Sequence, residues 1–119
     1  MEEAVSDAVL DALAKGKARL KRGWCKGHLA EDARGLLTFS ESDAIAWCAV
    51  GAIREDMLSI GQYNDVRRYM GTVAEALGYH GDLRVAAFND DPATELRHVL
   101  GLYDWAAELR RLDLAKERP

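Results

Sequence analysis

Only two cysteines and two prolines occur among the 119 residues, and aromatic residues make up 8%. Cys25 and Cys48 cannot build the disulfide framework that staples a small secreted domain. With so little proline, collagen-like and proline-rich linker architectures are excluded. A membrane-spanning helix needs about 18 consecutive apolar residues, and no run approaches that length. The opening Met1-Glu2-Glu3-Ala4-Val5 is acidic and lacks the basic and apolar regions of a signal peptide. These absences lead to the expectation of a soluble chain in a reducing cytoplasm, with no membrane partner.

What remains is an ordinary globular balance of 49% hydrophobic and 30% charged residues. The length fits one domain, residues 1–119, and a chain of this size buries roughly two-thirds of the surface its unfolded form exposes. The net charge of −4 argues against a protein that coats nucleic acid.

Apolar periodicity predicts an all-α fold, a compact bundle of about four main helices. Val5, Val9, Ala12, Leu13 and Leu20 place a first helix over 5–22, with Gly16 as a weak interior point and Gly23 as its end. Residues 23–42 are irregular, with one or two helical turns expected at Leu29–Ala33. Ser42 is a suitable N-cap, and Ala44–Ile53 carries no charge, so a buried central helix is expected over 43–58. Tyr63, Val66, Met70, Val73, Ala74 and Leu77 mark a third helix over 63–77, stopped by Gly78. Residues 79–91 are expected to form a connection, and Asp91-Pro92 to cap and open a last helix over 92–113.

Gly23-Trp24-Cys25-Lys26-Gly27, then Ala46-Trp47-Cys48-Ala49-Val50-Gly51-Ala52-Ile53, then Phe88-Asn89-Asp90-Asp91-Pro92 follow one another along the chain. In that order they resemble a small uncharacterised protein family of bacteria and their phages, over residues 10–107. The resemblance implies a compact, mostly helical domain and a bacterial or phage origin. It carries no activity. It points to Trp24, Gly27, Trp47, Cys48, Gly51, Asn89, Asp90 and Pro92 as the family's hallmark positions, which can serve packing as well as function.

Five features carry candidate chemistry. Cys25 and His28 have a Cys-x2-His spacing that Cys48 with His80 or His98 could complete as a metal set, but a second tight ligand pair is missing. The same residues with Asn89 or Asp90 could form a Cys-His-Asn or Cys-His-Asp hydrolase, with Cys25 between Arg22 and Lys26 as nucleophile. Lys15, Lys17, Arg19, Lys21, Arg22 and Lys26 fall within 12 residues that hold no acid, and Trp24 follows as a stacking platform. That run suits an anion or an acidic partner, or simply neutralises a helix C-terminus. The turn Asn89-Asp90-Asp91-Pro92 could meet a cation, but the alternating ligands of a calcium loop are absent and helix capping accounts for it. Finally, His98, Leu102, Trp105, Leu109 and Leu112 form a second stripe on the last helix, either covered within the chain or offered as an interface.

The function expected from these residues is a small non-enzymatic binding or regulatory protein acting through protein contacts. A homodimer and a role in host–phage conflict, such as inhibition of a defence complex, belong to the same expectation. Nucleic acid is the less expected partner, and no cofactor, metal or catalytic group is assigned. The alternative is a small cysteine- or metal-dependent enzyme centred on Cys25 and His28.

Overall fold

Asp7 starts the first helix: its carboxylate accepts the Leu10 N–H at 2.9 Å, and α1 runs Ala8–Arg22. In this computed structural model, which describes residues 7–54 and 58–117, the other elements are β1 (Ala30–Glu31), β2 (Ala46–Trp47), α2 (Gly51–Arg54), α3 (Ile60–Ala76), α4 (Arg84–Asp90) and α5 (Leu96–Lys116). The first residues of the helix predicted over 5–22 lie outside the described part. Asp7 also ties the two ends of the fold together, because Arg110 Nη2 of α5 donates to it at 2.8 Å. Burial pushes the Asp7 carboxyl up, but Arg110 and the Leu10 amide outweigh that and hold it below its ordinary value.

The molecule is compact and mostly helical, as the periodicity predicts. One side of α1 buries Val9, Ala12, Leu13 and Leu20 against α5 and α3. Gly16 is explained by this contact, since a Cβ there would stand 2.8 Å from a Tyr103 ring carbon. Ser59 caps α3 through a capping box with Gln62, and Val66, Tyr69, Met70, Val73 and Ala74 face inward. Gly78, at φ +100°, follows the helix end. α3 packs on α5 and α4, and α5 buries Val99, Leu102, Tyr103 and Ala106.

The predicted central helix over 43–58 is not formed. Residues 47–53 are all buried, but as β2, a turn and the four-residue α2; residues 55–57 lie outside the description. An uncharged run suits a buried strand as well as a buried helix. Non-local partners decide the case here. Trp47 N–H donates to Gly23 O at 3.0 Å, Cys48 N–H to Leu29 O at 3.1 Å, and Trp47 O accepts from Cys25 N at 3.1 Å. Ser42 caps nothing; its hydroxyl lies 3.1 Å from that of Ser40 in a turn.

The helical turns expected at Leu29–Ala33 are replaced by β1, which pairs antiparallel with β2 in the register Ala30↔Trp47 and Glu31↔Ala46. The fold is therefore helical with a small two-stranded sheet, not all-α. The predicted connection 79–91 contains α4, with Val85 and Phe88 in the core. Asp91 and Pro92 do not open the last helix. Asp91 accepts the Ala93 N–H in an Asx turn, and α5 begins at Leu96 after Glu95, whose N–H donates to His98 Nδ1.

Gly51 sets the tightest backbone approach of this region. A Cβ at Gly51 would fall 1.8 Å from Leu29 O, whereas one at Gly101, within α5, would meet nothing within 4 Å. Gly51→Ala is expected to lower unfolding stability in urea by about 3 kcal/mol, while Gly101→Ala raises it by about 0.5–1 kcal/mol. Equal midpoints for the two variants would remove the close approach as a determinant of the fold.

Candidate functional site

Asn89 sits near the end of α4 with 0% of its surface exposed. A buried carboxamide is tolerated only when its acceptor and both donors are used. Asn89 Oδ1 accepts from Trp24 Nε1 at 2.8 Å and from Ala49 N at 3.0 Å. Its Nδ2 donates to Cys25 O at 3.1 Å and to Asp90 Oδ1 at 2.9 Å. One side chain thus ties α4 to the segment after α1 and to the turn before α2.

The neighbours extend this junction. Gly27, at φ +82°, turns its N–H to Asp90 Oδ1 at 2.9 Å. Lys26 Nζ donates to Asp91 O at 2.7 Å and stands over the Trp24 ring. Tyr79 OH donates to Asp91 Oδ2 at 2.6 Å, a bond that holds the Asp91 carboxyl below its ordinary value. Of the positions to which the resemblance points, Trp24, Gly27, Asn89 and Asp90 meet directly here. Trp47 and Cys48 join through backbone bonds, and Gly51 through its contact with Leu29. Pro92 is exposed in the following turn.

Both cysteines are buried and free. Burial, with Glu31, Cys48 and Asp90 adding negative potential, pushes the Cys25 thiol up to about 12. It stays a thiol at neutral pH, and it donates to the His28 carbonyl at 3.5 Å rather than to the imidazole. The His28 ring instead places Nδ1 3.1 Å from Glu31 Oε2. Cys48 is pushed up chiefly by burial, and its sulfur accepts the Gly51 N–H at 3.3 Å. His80 is exposed, and His98 serves the start of α5. Among the described residues, no cluster of three or more His, Cys, Asp or Glu side chains is placed to hold a metal.

The basic run is divided by the fold. Lys17 pairs with Asp104 of α5, Arg19 Nη1 donates to Ala52 O at 2.8 Å, and Lys26 belongs to the Asn89 junction. The Trp24 indole N–H is committed to Asn89, and Lys26 Nζ stands over its ring. Lys21 is exposed. Lys15, Arg19 and Arg22, one flank of α1, line a cleft of about 400 Å³ with Ala18, Glu41, Ala44 and Trp47. The Arg22 guanidinium lies 5.2 Å from the Trp47 ring centroid. Trp47 is 4% exposed, and its Nε1–H has no acceptor among the described residues. Glu41 and Ala44 escaped the sequence reading because they stand far from the basic run and carry no motif.

The second stripe of α5 is split. Leu102 is 1% exposed and belongs to the core, whereas Trp105 is 64% exposed and Leu112 is also largely exposed. Leu109 is partly buried against the core, so Trp105 and Leu112 are the apolar groups that this stripe offers to solvent.

A family model matches residues 4–109, a span that takes in the Asn89 junction and the basic cleft. The chain belongs to DUF6197, a family of unknown function. No curated protein and no solved structure matches it. Among the described residues of this DUF6197 chain, no helix is long and apolar enough to cross a membrane.

Removing the Asn89 carboxamide would strand the Trp24 indole N–H, the Ala49 N–H and the Cys25 carbonyl. Each orphaned buried group costs about 1–3 kcal/mol, so Asn89→Ala is expected to lose about 3 kcal/mol or more in urea unfolding. A loss below about 1 kcal/mol would mean that the junction is not needed for stability.

Proposed function

We propose that this DUF6197 protein is a non-catalytic binding protein whose cleft between α1 and residues 41–47 receives an acidic segment of a protein partner. The observation that carries this reading is Trp47: a buried indole donor without an acceptor among the described residues, in the wall of a cleft lined by Lys15, Arg19 and Arg22 against one acid, Glu41. A buried donor left unpaired costs about 1–3 kcal/mol, and a carboxylate held by the cations would supply the acceptor once the ring shifts to uncover its N–H. The cleft is small, and much of the surrounding basic run is spent on internal bonds, which favours a short acidic segment over a nucleic-acid backbone. Cys25, held as a neutral buried thiol, supports binding over nucleophilic chemistry.

Trp105 and Leu112 supply a second apolar surface, suited to the same partner or to a second copy of the chain. The bacterial and phage setting implied by the sequence resemblance makes inhibition of a host or defence complex the biological form of this reading.

The cleft is tested with a glutamate-rich peptide titrated into 15N-labelled protein at low salt. Wild-type protein is expected to bind, to shift the Trp47 indole signal, and to bind less tightly as salt rises. Lys15→Glu with Arg22→Gln is expected to weaken binding by about tenfold or more while the chain stays folded, with a small drop in thermal midpoint from the lost Arg22 contact. Arg19 is spared in this variant because it holds the Ala52 carbonyl. Equal binding by wild type and variant, or none by wild type, would refute the cleft as the contact.

A further inference from the structure

A second cavity, of about 250 Å³, lies where α3 meets the turn into α4. Asn64, Arg67, Arg68 and Gly71 line it from α3, and Asp82 and Arg84 from the other side. Positions 64, 67, 68 and 71 are spaced as one helical face, so the polar groups of this face are gathered along one wall. None of these residues lines the Trp47 cleft, and none belongs to the basic run near the N-terminus.

Arg84 is held in place. Its Nε donates to Gly71 O at 2.8 Å, and its Nη1 to Gly81 O at 3.0 Å. The guanidinium lies so close over Gly71 that a Cβ there would stand 2.7 Å from Nη2. Two bonds to backbone carbonyls fix its plane, so little rotamer freedom remains to be lost on binding a ligand. Arg67 rests beside the Tyr63 ring with its Cζ 5.7 Å from the centroid. Arg68 stands 4.7 Å from the Tyr69 ring centroid, and its pairing with Asp65 is long, at 3.6 Å. Three arginines therefore line a cavity whose lining holds one carboxylate, Asp82, with Asp65 beside Arg68 as the other acid nearby.

We propose that this cavity is a binding site for a phosphate group, either the free ion or the monoester of a small molecule. Guanidinium forks match phosphate oxygens in geometry, and a dianion relieves the mutual repulsion of three cations better than a carboxylate does. Asn64 adds an amide donor at the same wall. The volume falls below the roughly 300–1,000 Å³ typical of sites for drug-sized ligands, which favours a phosphate with a few carbon atoms over a nucleotide.

The test titrates the full chain with inorganic phosphate and with glycerol 3-phosphate, each at constant ionic strength against chloride and glycerol controls. Amide and guanidinium NMR signals are the readout. Saturable shifts are expected at Asn64, Gly71 and Arg84 with both phosphates and with neither control. Tighter binding of glycerol 3-phosphate assigns the site to monoesters; equal or weaker binding assigns it to the free ion. Arg67→Gln with Arg68→Gln is expected to weaken phosphate binding by about tenfold, since two charge-assisted contacts are lost. Gly71→Ala displaces the Arg84 guanidinium and is expected to weaken binding while leaving the Arg67 and Arg68 side chains in place. Should the double variant unfold, Gly71→Ala and the map of shifted signals decide. No saturable shift in wild type, shifts that map elsewhere, or wild-type affinity in the folded variants would overturn the proposal.

Discussion

The carboxamide of Asn89 is the constraint on which the rest of the molecule depends. It is enclosed completely, and three of its four hydrogen bonds reach two segments far away in the sequence, at residues 24–25 and at Ala49, while the fourth goes to the adjacent Asp90. A polar group at this depth stabilises only one arrangement of its surroundings, because any slip leaves donors or acceptors without partners. The register of the segment after α1, the turn before α2 and the end of α4 are therefore set together. β2 sits inside that arrangement, with its backbone bonded to residues 23–25 on one side and to β1 on the other.

Seen from this junction, the chain's reactive-looking residues take up structural duties. Cys25 offers its carbonyl to Asn89 and keeps its thiol protonated, while Cys48 accepts the amide that begins α2. Lys26 and Trp24 serve the junction as well, although they extend the basic run. The charge that lines the Trp47 cleft comes from Lys15, Arg19 and Arg22 on one flank of α1, with Arg19 also holding the Ala52 carbonyl. Folding thus selects which cations of a dense run are presented around one cavity.

The sequence displays the long helices of this fold openly. The spacing of Val66, Met70, Val73 and Ala74, followed by Gly78, marks α3 within a few residues, and the inward stripe of α5 is equally periodic. Ala44–Ile53 carries no such signal, because a stretch without charge has no polar face to set a period, and its strand is created by Gly23 and Leu29 rather than by itself. Asp91-Pro92 suits a cap and an Asx turn alike, and the bond from Tyr79 together with the fold around Asn89 selects the turn. The basic run is visible as composition, but its division between internal bonds and the cleft depends on Ala52, Asp91 and Asp104, which no local pattern connects to it. The motifs around Trp24, Trp47 and Asn89 stand out individually; that Trp24 and Asn89 touch across 65 residues is a property of the folded chain alone.

Native-state hydrogen exchange at the Trp24 indole N–H and the Ala49 amide tests the central claim most directly, since both donate to Asn89 Oδ1. If the junction holds the fold together, both protons exchange only through global unfolding, with the same free energy of opening as the slowest amides of α3 and α5. Exchange of either proton at the rate of an exposed loop, while α3 and α5 stay protected, would contradict the account.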